Sequence, residues 1–219
     1  MSSDYQAWQL VRQTADIYRG RLGLRLHAWV VTVLRPWYGV FGAIFPHIPH
    51  GSKVLDIGCG GGGFLLLACR LRQLGPSVGL DVNQGSINLA VAASNDAQVE
   101  FEATSQVPEN FLAAADVVTM IDVLHHVEPA ERPELIQRVI AGIAPGVRLV
   151  IKDLDPKPSW RAWANRVTDY LSTRSRVSYI ALDELVDLVQ GAGLRVCYQQ
   201  RLLKHVWSHY LLVVERPAV

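Results

Sequence analysis

Two acids, a cluster of glycines and a pair of histidines are the residues of this chain best suited to chemistry. The run Val54-Leu55-Asp56-Ile57-Gly58-Cys59-Gly60-Gly61-Gly62-Gly63 ends a short apolar stretch in a carboxylate and continues as a glycine turn. Phe64-Leu65-Leu66-Leu67-Ala68 then has the pattern of a helix start. Glycines at 58, 60 and 62 permit positive φ and close approach of backbone to a ligand, the pattern of a nucleotide-type site. Asp81, 25 positions beyond Asp56, closes a second short apolar run. An acid at the carboxyl end of a strand can accept both hydroxyls of a ribose, and it can also cap the helix that follows. His125 and His126 can handle a proton, since an imidazole titrates near neutral pH; helix capping or packing is the other reading of that pair.

The glycines admit two ligands. Gly58, Gly60 and Gly63 satisfy G-x-G-x-x-G, in which a helix N-terminus holds a dinucleotide pyrophosphate. Asp56 stands two residues before the first of them and would repel a pyrophosphate. It suits a ligand that carries an ammonium or sulfonium group. Asp81 serves the adenosine half of either ligand.

These residues need strands to carry them to one edge. Strands are predicted at Lys53–Ile57, Ser77–Asp81, Val99–Ala103, Asp116–Ile121, Val147–Lys152, Arg195–Gln200 and Ser208–Glu215. Helices are predicted at Gly63–Leu74, Gln84–Asn95, Glu109–Ala114, Pro133–Ile143 and Asp183–Ala192, with an extra one over Ser159–Thr173. Such alternation implies an α/β fold, a mostly parallel sheet with helices on both faces. Only Arg201–Trp207 separates the last two strands, too short for a helical crossover, so they pair as an antiparallel hairpin. Their carboxyl edge is where parallel sheets place ligands, and both His125-His126 and Lys152-Asp153-Leu154-Asp155 fall there.

Asp56-x-Gly58-x-Gly60-x-Gly62, Asp81 and the terminal hairpin together resemble class I S-adenosylmethionine (SAM) methyltransferases, small-molecule type. The resemblance implies a Rossmann-like seven-stranded sheet closed by an antiparallel hairpin strand. It implies SAM as cofactor and S-adenosylhomocysteine (SAH) as product. Asp56, Gly58, Cys59 and Gly60 match the loop around the methionine part, with Asp56 facing the ammonium. Asp81 matches the ribose acid, with Val82 and Asn83 beside the adenine. Asp122 and Val123, after the fourth strand, match residues that approach the methionine moiety. Many relatives place an acid after the third strand for the adenine amine; here Thr104 occupies that position, a weaker acceptor. The resemblance also favours His126 over His125 as a general base. At its strand end, Asp153 either orients a histidine or touches the acceptor, or else Asp153 and Asp155 merely begin a loop ahead of Pro156 and Pro158. No tight metal-ligand spacing is present, although Asp122, Asp153 and Asp155 are acids that a metal-dependent enzyme would need to converge, so no metal is expected.

The whole chain, 1–219, reads as one methyltransferase domain: a helical lid over 1–50 and a SAM-binding core over 51–219 with a helical insertion near 156–176. The Tyr18-Arg19-Gly20-Arg21 cluster is either a partner for the SAM carboxylate or an exposed basic helix end. Leu26–Phe45 is largely apolar, but Arg35-Pro36 interrupts it, so two helices are expected, Leu22–Leu34 and Trp37–Phe45, rather than a membrane span. Its aromatic residues suit core packing, an acceptor pocket or peripheral contact with a membrane surface through 22–45. Residues 1–50 carry five bases against two acids, 54–147 four against eleven, and 148–176 seven against three. Basic flanks beside an apolar lid favour a small hydrophobic acceptor with an anionic handle, lipid-like, polyketide-like or carrier-bound. A net charge of +1 gives no reason to expect nucleic acid as partner. The three cysteines suit reduced thiols in a cytoplasmic protein, either free or peripheral at the inner face of a membrane. O-methylation of a small acceptor is the reading favoured. A non-catalytic SAM-binding protein and an NAD-linked oxidoreductase are the alternatives.

Overall fold

A computed structural model describes residues 3–21, 32–95, 98–156, 178–204 and 207–217. It contains a seven-stranded sheet in the order β3-β2-β1-β4-β5-β7-β6. The chain divides into two compact units, Met1–Phe111 and Leu112–Val219.

In the first unit, α1 (Ser3–Ile17) and a short α2 (Arg35–Tyr38) precede β1 (Val54–Ile57), α3 (Gly63–Arg72), β2 (Ser77–Asp81), α4 (Gln84–Ala93) and β3 (Val99–Ala103). β1 and β2 run parallel, with Ile57 opposite Leu80, and β2 and β3 run parallel, with Asp81 opposite Ala103. All four β1 residues are buried, which is what a central strand covered on both faces requires. α3 holds its place because Leu65, Leu67 and Ala68 are fully buried. Truncating either leucine to alanine should cost ~2–5 kcal/mol. Asn83 caps α4: its side-chain oxygen accepts from the Ser86 amide at 2.9 Å.

Short α5 (Glu109–Ala114) leads to the second unit, made of β4 (Val117–Ile121), α6 (Arg132–Gly142), β5 (Arg148–Leu154), α7 (Leu182–Gly191), β6 (Arg195–Lys204) and β7 (Trp207–Glu215). β4 and β5 are parallel, Ile121 opposite Lys152, whereas β7 is antiparallel to both β5 and β6. The apolar runs of β4 and β7 explain why these strands are buried, and β6, with mostly exposed residues, forms the sheet margin.

The strand and helix assignments from sequence agree to within a few residues, with instructive exceptions. The expected helix Trp37–Phe45 does not form. Helix α2 instead starts at Arg35 with Pro36 in its first turn, where a missing N–H costs nothing. Val40 at φ 53 then turns the chain left-handed, and two 3-10 turns follow, Phe41–Ala43 and Phe45–His47. The hairpin is longer than expected, pairing out to Lys204 opposite Trp207. β5 continues to Leu154, which carries Asp153 inside the strand. Most of the expected helix Leu22–Leu34 and all of Ser159–Thr173 lie outside the described residues. Among the described residues, no helix is long and apolar enough to cross a membrane.

Candidate active site

The glycine loop of the first unit is built chiefly from backbone. Gly58 and Cys59 donate their amides to the Leu80 carbonyl at 2.7 and 2.9 Å, and the Gly60 amide donates to Asp81 Oδ2 at 2.8 Å. Gly60 has φ +55, and a Cβ added there would meet nothing closer than Arg35 Nη1 at 3.9 Å, so its outer side is open. Gly62, at φ +81, is required for packing as well, because a Cβ would fall 2.9 Å from the Phe101 ring. Asp56 is buried just before this turn. The Cys59 thiol is pushed far up, by burial first and then by Asp56 and Asp81, so it stays protonated and unreactive.

Asp81 serves the loop rather than the helix. Its Oδ1 accepts from the Asn83 amide at 2.8 Å while Oδ2 holds Gly60, and Asn83 takes the capping role that the sequence allowed for Asp81. Each carboxylate oxygen keeps a second lone pair for a ribose hydroxyl. Beside it Val82 is 76% exposed, a large apolar side chain available to a flat ring. Thr104 is engaged locally: its hydroxyl accepts from the Gln106 amide at 3.0 Å, and its own amide donates to the Asp81 carbonyl.

Of the Tyr18–Arg21 cluster, Tyr18 reaches the loop and Arg19 does not. The buried Tyr18 hydroxyl donates to the Gly61 carbonyl, whereas Arg19 is exposed and pairs with Asp16. Arg35, which the sequence offered only as a helix break, has its charge close enough to act on both Tyr18 and Cys59. The unit thus brings Asp56, the glycines, Asp81, Val82, Tyr18 and Arg35 together.

The second unit is built from side chains. Asp122 follows β4 with φ 58, a left-handed conformation that costs a non-glycine residue about 1–3 kcal/mol. Two contacts hold it: its amide donates to the Lys152 carbonyl at 2.8 Å, and fully buried Lys152 reaches its Oδ1 with Nζ at 2.6 Å. A 3-10 turn over Leu124–His126 comes next. It separates the histidines: His125 is 5% exposed, and His126 is exposed, with ring centroids 4.0 Å apart.

His125 Nδ1 lies 2.5 Å from Asp153 Oδ1, and Asp153 is 1% exposed. Asp153 also accepts from the amides of Leu124 (2.7 Å), His125 (3.3 Å) and Leu154 (2.7 Å). Burial alone would raise the Asp153 carboxyl, but the charge and hydrogen bond of His125, helped by the Leu154 amide, outweigh it and hold it below its ordinary value. An ionised Asp153 is only an acceptor, so Nδ1 carries a proton, and the neutral ring would then have its lone pair on Nε2. The turn is pinned from outside as well. Buried Arg132 donates to the carbonyls of Val127 and Ser178, and the Ser178 amide donates to the His125 carbonyl.

Asp122, His125 and Asp153 bring one potential ligand atom each within 4.8 Å of one another. They do not fit a metal ion, because both Asp153 oxygens already take donors and Lys152 holds Asp122. Asp155 is held by Arg201 Nε at 2.8 Å.

Comparison with known proteins places this architecture. A family described as "Methyltransferase domain" matches residues 36–199. The chain belongs to that family. It is a SAM-dependent methyltransferase, and SAM is its cofactor. Among its relatives, the ubiquinone biosynthesis O-methyltransferase of Acinetobacter baylyi is 27% identical over 175 residues, 72% of this chain and 71% of the relative. The enzyme of the same name from Xanthomonas axonopodis pv. citri is 28% identical over 183 residues, 78% and 74% of the two chains. The crystal structure of magnesium protoporphyrin IX methyltransferase from Synechocystis PCC 6803 with bound SAH superposes with a TM-score of 0.68 at 15% identity, over 97% of this methyltransferase and 95% of that chain. This last likeness is one of fold. The open side of Gly60, the carboxylate of Asp81 and the exposed Val82 fit such a cofactor.

Proposed function

We propose that this methyltransferase transfers its methyl group to an oxygen of a small apolar acceptor, with His125 as general base and Asp153 as its orienting partner. The observation that carries the reading is the buried contact of 2.5 Å between His125 Nδ1 and Asp153 Oδ1. A hydroxyl acceptor must lose a proton to become a good nucleophile, and a positioned base contributes about 10²–10⁴-fold. The names of the two bacterial relatives, ubiquinone biosynthesis O-methyltransferases, support an oxygen acceptor on the way to a quinone.

When bound, SAM supplies a methyl group already activated by the sulfonium charge, so the protein's task is mainly alignment. Asp56 faces the cofactor's ammonium, and Asp81 takes the ribose hydroxyls. Val82 and Asn83 flank the adenine, while the engaged hydroxyl of Thr104 leaves little for the adenine amine. Asp122 and Val123 border the methionine part. Arg35, with its charge near Gly60 and Tyr18, pairs with the carboxylate. His125 takes the acceptor's hydroxyl proton at Nε2 and keeps Nδ1–H on Asp153. Asp122 is paired with buried Lys152 and Asp153 with His125, so a proton on His125 brings this group of four to neutrality.

This reading takes His125 rather than His126, the histidine favoured by the family resemblance, and what supports it is that the 3-10 turn buries His125 beside Asp153 and leaves His126 exposed. The test is a radiolabelled methyl-transfer screen in which phenols, aliphatic alcohols, amines and thiols are offered with labelled SAM. Label should appear on phenolic or enolic oxygen. Transfer confined to amines, or SAH binding without any transfer, would contradict the reading.

A further inference from the structure

In the second unit, Tyr210 is left without a role by the network around His125. It stands within β7, fully buried, and its hydroxyl has no hydrogen-bond partner among the described residues. Native proteins pair nearly all such groups, so an unpaired one calls for a physical reason. Its position supplies one. Tyr210 sits opposite Asp153 on β5 and opposite Arg201 on β6, and cross-strand neighbours project from the same face of a sheet. Its hydroxyl is therefore on the face that carries the partner of His125.

Among the described residues this hydroxyl has no ready acceptor. Asp153 already receives four donors, and Asp155 is drawn to Arg201. Burial first, and then the charges of Asp153 and Asp155, push the phenol well above its ordinary value, with Arg132 opposing. A neutral phenol hydroxyl can donate to an oxygen brought from outside. The polar triplet Ser208-His209-Tyr210, within a strand otherwise almost wholly apolar, marks the same place.

We propose that Tyr210 is an acceptor-binding residue, its hydroxyl donating a hydrogen bond to an oxygen of the methyl acceptor as that acceptor is presented to His125. This rests on the oxygen-acceptor reading above. The role is positional: the bond fixes the acceptor while His125 removes the proton.

The experiment measures binding of 4-nitrocatechol, a chromogenic phenol, to SAH-loaded protein by absorbance and calorimetry, for wild type and Tyr210→Phe. The variant removes one oxygen and keeps the ring. Its affinity for the phenol should fall about 5- to 30-fold, as for one lost hydrogen bond to a polar or charged partner. SAH affinity should stay within about twofold, and Tm should hold or rise, because an unpaired buried hydroxyl has gone. Equal phenol affinity in the two proteins would overturn the role of Tyr210 and leave the oxygen-acceptor reading standing. A variant with lowered Tm and weakened SAH binding would show Tyr210 to be structural and overturn the proposal as well. Wild-type protein that binds SAH but no phenol would overturn both readings together.

Discussion

The two units place polar groups at strand ends with different materials. The first uses backbone: a turn of glycines whose amides meet Leu80 and Asp81, with few side chains involved. The second uses side chains from distant parts of the sequence, His125 against Asp153 and Lys152 against Asp122, clamped by Arg132. A backbone cradle suits a ligand that never changes, since amide spacing is fixed by the turn and hard to retune. A network of side chains can be altered one residue at a time, which suits the acceptor binding proposed for the second unit.

The largest effect expected from breaking this contrast is in the second unit. Asp153→Asn should lower turnover about 10²-fold with SAH affinity nearly unchanged, because an amide can donate to Nδ1 and leave Nε2 protonated, the wrong tautomer for a base. Steady-state kinetics beside calorimetry would check it. The same residue gives a pH signature. Its folded pKa is depressed, so its stabilisation is present above the ordinary carboxylate value of about 3.9 and is lost as pH falls from there toward the lower folded value. Wild type should therefore lose stability over that acid window more steeply than Asp153→Asn, as read from Tm against pH.

The next effect belongs to the first unit. Asp81→Asn should weaken SAH about 10- to 100-fold, since it replaces a carboxylate that organises Gly60 and Asn83 and accepts the ribose. Calorimetry measures it, and unchanged affinity would remove the ribose role. Smaller still, Arg35→Met should weaken SAH about tenfold but leave affinity for 5′-methylthioadenosine, which lacks the carboxylate, unaltered. Equal losses for both ligands would assign Arg35 to the fold rather than to the carboxylate.

The same contrast explains what the sequence made legible. The residues proposed to hold the donor lie within a few dozen positions, Asp56 to Asp81, and their glycines announce their backbone geometry directly. The strands were legible because central strands are unbroken apolar runs, Val117–Ile121 among them. The acceptor half was legible only in part. His125, His126 and Asp153 could be named, but choosing between adjacent histidines needed the 3-10 turn that buries one and exposes the other. Arg35 looked like an obstacle to a helix because its proximity to Gly60 arises only when the segment before β1 folds back on the loop. Lys152 and Tyr210 gave one usable signal, a polar side chain inside an apolar strand, whose meaning depends on the register with neighbouring strands.

The central claim is that buried His125, not exposed His126, takes the acceptor's proton. Its most direct test is single-turnover methyl transfer to whichever oxygen acceptor the wild type uses, comparing His125→Gln with His126→Gln at saturating SAM. A rate about 10²–10⁴-fold lower for His125→Gln, with His126→Gln within about threefold of wild type, is the predicted result. A His125→Gln enzyme at full rate, or a loss confined to His126→Gln, would contradict it.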